Sequence, residues 1–219
     1  MLDIKGLKSG AVLQRDQNDF CKITISASFS GEPKASMGKL THIEKNKWEL
    51  AGIYLGGPYN LTIEDGCNSA TFTDIYVGDL WLLAGQSNME GSGKWREKYQ
   101  KYDADPSPTV RAYYMNESWG AAKSQLHQLW ESHDPQIAVT FRNERKSSRW
   151  GAEYPEIQNN GVGPGLFFAL EMQKRVGGVP QGVIPCGIGG SGLWQWNPEG
   201  ENNLYSAAVR RFRECGGNI

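Results

Sequence analysis

Histidine is scarce in this chain: only His42, His127 and His133 occur among 219 residues. The cysteines, Cys21, Cys67, Cys186 and Cys215, include no Cys-x-x-Cys pair, which argues against a zinc site. Cys21 and Cys67 lie where strands can bring them together, but the four are read as reduced thiols of a cytoplasmic protein. No apolar run approaches the ~20 residues that span a bilayer, so no membrane partner is expected. The opening Met1-Leu2-Asp3-Ile4-Lys5 lacks the apolar core of a signal peptide. Neither sign of charge dominates: 23 basic residues face 24 acidic ones, for a net charge of −1. With no basic stretch to neutralise phosphates, nucleic acid is not an expected partner. No cofactor is expected either.

What is present is the makeup of a folded chain, 39% hydrophobic and 21% charged. Glycine is abundant at 27 residues, which suits tight turns and close backbone approach. The eight tryptophans offer flat apolar faces suited to sugar rings or to a core. From about Leu13 to Ile75 the pattern is that of strands. Cys21–Ala27 alternates apolar and polar residues, as do Trp48–Leu50 and Tyr59–Ile63, with turn-formers such as Gly31-Glu32-Pro33 and Gly56-Gly57-Pro58 between them. These predict a small β-sandwich over residues 1–75. The texture then changes. Leu80–Ala84 is a continuous apolar run expected of a strand buried on both faces, and Thr109–Tyr114 and Gly182–Cys186 are further strand candidates. Leu166, Phe167 and Leu170 lead helically to Gly177-Gly178, and Leu204, Ala208, Phe212 and Cys215 to Gly216-Gly217. Alternating strands and helices over residues 76–219 predict a doubly wound α/β domain, with its active site at the C-terminal ends of the strands. The stretch from Trp119 to Asn160 is polar and weakly periodic, which suggests functional loops or short helices.

Gly85-Gln86-Ser87-Asn88-Met89 follows the buried run directly, placing a serine where a strand hands over to the next element. A serine hydroxyl becomes a nucleophile when a base takes its proton and preorganised donors await the oxyanion. On spacing alone, an ordinary strand-ending turn explains this serine at least as well. Gly163 with Pro164 reads as a helix start, where proline loses nothing by lacking an N–H and an N–H ahead of the dipole can meet an anion. Gly163 is therefore a candidate second oxyanion donor beside the N–H of Ser87, with Gly165 as its rival. The alternative is that these glycines serve close packing. Trp194 and Trp196 follow another glycine turn, and either lines a pocket or covers the edge of the core.

Val77-Gly78-Asp79-Leu80-Trp81-Leu82-Leu83-Ala84-Gly85-Gln86-Ser87-Asn88-Met89-Glu90-Gly91 closely resembles the nucleophile block of the sialate O-acetylesterase family, a branch of the SGNH hydrolases. Gly161–Ala169 looks like its second block, and Val183–Ser191 followed by Trp194 like its next strand and glycine turn. Upstream, Val12-Leu13-Gln14-Arg15 and Gly56–Ile63 resemble the small β-domain that bacterial members carry ahead of the hydrolase domain. The resemblance implies a small N-terminal β-sandwich followed by an SGNH-type, flavodoxin-like three-layer α/β hydrolase domain. It implies a serine esterase removing acetyl groups from a sugar, sialic acid or acetylated xylan, with Ser87 as nucleophile, Gly163 in the oxyanion hole and Trp194 against the substrate.

It also implies residues that this sequence does not show. The family's base is a histidine with an aspartate three positions before it. Here Lys39, Ser124 and Trp130 stand three positions before the histidines, each of which is read as a surface or loop residue. Nor is the family's Trp-Tyr-Gln-Gly-Glu block found. The expectation is a hydrolase domain truncated at its C-terminus, inactive alone and needing a further segment of the same protein. A non-catalytic sugar-binding or scaffold fragment is the alternative.

Overall fold

A computed structural model describes residues 2–91, 93–94, 101–140, 160–200 and 203–217. Strands β1 (Ile4–Lys5), β3 (Phe20–Ala27), β5 (Lys39–Glu44) and β6 (Lys47–Tyr54) form an antiparallel sheet in the order β1-β3-β6-β5. A mixed sheet runs β11 (Trp119–Ala121), β10 (Val110–Tyr113), β13 (Gln181–Pro185), β8 (Ser69–Leu83), β7 (Gly56–Glu64), β4 (Lys34–Ala35), with β2 (Val12–Gln14) parallel to β8. Strands β9 (Gly93–Lys94) and β12 (Asn160–Val162) make a separate antiparallel ribbon.

The period-two pattern explains how the sheets meet. On β3, Cys21, Ile23, Ile25 and Ala27 are buried while Phe20, Lys22 and Thr24 face outward. The three inward side chains Cys21, Ile23 and Ile25 share one core with Leu13 of β2, Leu61 and Ile63 of β7, and Ile75 and Val77 of β8. Successive side chains of a strand point to opposite faces, so Val12 and Tyr76 turn to a different core with Tyr113, Ile184 and Ala208. Strand β8 thus feeds both cores. It is one 15-residue strand that runs through the expected boundary at 75/76, pairing first with β7 and then, over Asp79–Leu83, in parallel with β13.

Helices cover both faces of the parallel part. Helix α3 (Pro164–Arg175; α1, Ser87–Glu90, and α2, Lys101–Ala104, precede it) sets Leu166 and Ala169 against Leu83, Val110, Ala112 and Val183. Gly165 permits this approach, since a Cβ there would stand 2.4 Å from Leu83 Cδ1. On the other face α4 (Leu204–Glu214) packs Ala208 beside Tyr113, Ile184 and Cys186. Gly163 caps α3, with Pro164 first in the helix, and Gly177, Gly178 and Gly216 adopt the left-handed conformation that closes the two helices, as the sequence suggests. All four cysteines are free, Cys67 exposed and the other three buried. Among the described residues no helix is long and apolar enough to cross a membrane.

Candidate active site

Strands β8 and β13 end side by side. Their ladder continues past the last strand residues, with Cys186 N–H donating to the Leu83 carbonyl and Ile188 N–H to that of Gly85, each at 2.9 Å. Gly85 then takes a φ of +147°, and the chain turns into the single turn of α1 that begins at Ser87. The serine is half-buried at the C-terminal end of a parallel strand, where the apolar run before it places it. Met89 and Glu90 N–H close back on the Gln86 carbonyl, and Gly91 N–H on that of Ser87.

The loop after β13 lies directly against this turn. A Cβ at Gly189 would stand 3.5 Å from Ser87 Cβ, and one at Gly187 3.0 Å from the Glu90 nitrogen and 3.2 Å from His127 Nε2. The Glu90 carboxylate accepts the Gly189 N–H across this contact. Gly163 touches the far end of α1: a Cβ there would sit 2.9 Å from the Met89 carbonyl oxygen and 3.1 Å from Gly91 Cα. Ser87, Gly163 and the glycine turn therefore all border α1. Gly165, the second residue of α3, is buried against Leu83.

The two tryptophans separate. Trp196 is half-buried beside Ile188, and its indole N–H donates to Ser191 Oγ at 3.0 Å, which itself donates to the Ile188 carbonyl at 2.7 Å. It anchors the turn. Trp194, 64% exposed, and Leu193, 90% exposed, project from the one-turn helix Leu193–Trp196. Water exposure of a neighbouring Leu and Trp is costly, and it leaves an aromatic face open to a ligand.

The three histidines lie in three different settings. His42 lies on β5, tilted against Trp48, and His133 is an exposed loop residue. His127 departs from expectation. It lies in irregular chain, but its ring is buried, with Nε2 3.5 Å from the Leu83 carbonyl and a further hydrogen bond to the Glu90 backbone. Burial pulls its pKa down to about 4, so the ring is neutral at pH 7 and works as a wedge under α1. A small cavity of about 10 Å³ adjoins it, lined by Ser124, Gly161, Gly163 and Phe167 among others. No local pattern in the sequence marks the roles of Glu90 and His127. The contact from Glu90 to Gly189 spans 99 residues, and that from His127 to Leu83 spans 44.

The serine thus lies at the mouth of a parallel sheet, against the Gly189 turn. The chain belongs to the family described as carbohydrate esterase, sialic acid-specific acetylesterase, whose profile residues 77–218 match. Among solved structures it is similar to a carbohydrate acetylesterase from Xanthomonas citri, at 25% identity and a TM-score of 0.57, over 90% of this chain and 42% of that one. It also aligns with a protein from Arabidopsis thaliana at 23% identity and a TM-score of 0.41, over 64% of this chain and 53% of that one. This chain thus spans less than half the length of the Xanthomonas protein. No curated protein matches it.

Proposed function

We propose that this chain carries the nucleophile of a serine carbohydrate O-acetylesterase of the SGNH type, with a small β-sandwich ahead of the hydrolase domain. Ser87 Oγ attacks the acetyl carbonyl, a sugar hydroxyl leaves with the serine's proton, and water then releases acetate from the acetyl-enzyme. The N–H groups of Ser87 and Gly163 meet the oxyanion, since neither is taken by another group among the described residues. Trp194 offers a face to the sugar. The observation that carries this reading is the position of Ser87, at the end of β8 and against the Gly189 turn, within the matched family region. The substrate class is an acetylated sugar, either O-acetyl sialic acid or acetylated xylan.

The base is the open element. No histidine here has an aspartate three positions before it, and the one buried near α1 is held neutral by its surroundings. Without a base, a serine hydrolase retains only what binding and the oxyanion hole supply. The chain alone is therefore expected to turn over 4-nitrophenyl acetate slowly. A longer protein from the same reading frame that brings an Asp-x-x-His should release acetate from acetylated sugars, and Ser87→Ala should abolish that. Robust turnover by this chain, lost in Ser87→Ala, would place the base among its own residues. The same lack of an Asp-x-x-His supports a second reading, a non-catalytic sugar-binding fragment. Binding of acetylated sugar with no acetate release from the longer protein would favour it.

A further inference from the structure

Helix α1 is a single turn, Ser87–Glu90, and a single turn does not hold itself: nucleating a helix fixes several residues for one hydrogen bond. The position of Ser87 must therefore come from what grips the turn from outside. Beside the packing of Met89 on the core under α3 and the close approach of Gly163, three polar contacts among the described residues do so. Ile188 N–H donates to the Gly85 carbonyl, the His127 ring reaches the Leu83 carbonyl and the Glu90 backbone, and the Glu90 carboxylate takes the Gly189 N–H. Of these three, only the last joins the helix that bears the serine to the loop facing that serine. Glu90 is half-buried, and an N–H donated to a carboxylate is about twice as strong as a neutral hydrogen bond. Gly189 lies so close to Ser87 that even a methyl group there would touch the serine's Cβ. A small movement of this loop is therefore a movement of the nucleophile's own wall.

We infer that Glu90 is a positioning residue, whose carboxylate clamps the Gly189 N–H and so fixes the Ile188–Ser191 turn against Ser87. Through Ser191, which holds the Trp196 indole, the clamp also steadies the base of the turn that carries Trp194. The inference deepens the reading of Ser87 as nucleophile and rests on it for its catalytic consequence.

The test uses amide hydrogen exchange of the whole chain, read residue by residue. In Glu90→Ala the Gly189 amide should exchange about tenfold faster or more, while Val183 and Ile184 of β13 keep their protection. Glu90→Gln retains an acceptor oxygen at the same reach and should recover most of that protection. Should Glu90→Ala fail to fold, Glu90→Asp takes its place, being one methylene too short to reach Gly189. Unchanged exchange at Gly189 would overturn the inference. So would a Gln variant as unprotected as Ala, or loss of protection spreading through β13, since Glu90 would then only support the fold. In a form of the protein that turns over, Glu90→Ala should lower kcat about tenfold with KM within about twofold, as expected of lost orientation. Ser87→Ala should leave the Gly189 amide protected, so an error about the nucleophile and an error about the clamp give different results.

Discussion

At His127 the protein keeps a neutral imidazole where the sequence suggests a loop residue near the surface. Its folded pKa of about 4 lies below the ordinary 6.5, chiefly because burial disfavours the cation. Between those values the unfolded chain binds a proton that the folded chain refuses. Stability should therefore be intact above pH 6.5 and fall as the pH drops towards 4, by about 3 kcal/mol in all. Urea denaturation across that window should show the slope, and His127→Gln should flatten it. An equal slope in the variant would mean that the ring titrates normally. Ser87 was legible because an apolar run and a glycine flank it in sequence. Glu90 and His127 were not, because their partners lie far along the chain and no local pattern records the contact. The tryptophans fall between these cases: their position after a glycine turn could be read, but not that Trp196 would anchor and Trp194 project.

Among the elements, β8 best shows what periodicity conveys and what it misses. The β-structure up to Ile75 and the apolar run from Leu80 read as parts of two domains, since alternation marks strands with one wet face and a continuous apolar run marks one covered on both. The structure joins them, and Gly78 sits at the join. A Cβ at Gly78 would stand 2.0 Å from the Pro180 carbonyl oxygen, where Asp79 N–H donates back to the same oxygen at 3.0 Å. That obstacle is backbone, so it cannot swing aside. Gly78→Ala should cost about 3 kcal/mol or more by forcing β13 away from β8, measurable as a lower denaturation midpoint. A loss under about 0.5 kcal/mol, the range of ordinary surface changes, would mean that the two strands separate easily. Strands β3, β6, β7, β10 and β13 and both long helices overlap the segments that alternation, apolar runs and helical spacing single out. Strand β5, exposed along most of its length, and the two- and three-residue strands β1, β4, β9, β11 and β12 are not singled out.

At the scale of the whole molecule the two halves are tied by more than a shared strand. The Arg15 guanidinium grips both carboxylate oxygens of Asp79, at 2.8 and 3.2 Å, and reaches Asp19 on the other side. Gln14 Oε1 accepts the Leu80 N–H at 3.0 Å, standing in for a ladder partner beyond the end of β2. With β2 and β8 each feeding both cores, neither core can open without disturbing the other. Calorimetry should therefore show one cooperative unfolding transition with equal calorimetric and van't Hoff enthalpies. Two resolved transitions would mean that residues 1–75 fold as an independent unit.

The central claim, that Ser87 is the acetyl-accepting nucleophile, is tested most directly by trapping the acetyl group. A base assists both formation and hydrolysis of an acyl-enzyme, so under the proposed reading, in which no histidine of this chain serves as base, Ser87 should acylate slowly and then hold the acetyl group. After incubation with 4-nitrophenyl acetate and an acid quench, peptide mapping by mass spectrometry should find acetyl on Ser87 above every other serine. Ser87→Ala should lose that signal with a stability change under ~1 kcal/mol, as for a cleft residue of similar size. Acetyl absent from Ser87 in both this chain and a longer active form, while acetate is still released, would contradict the account.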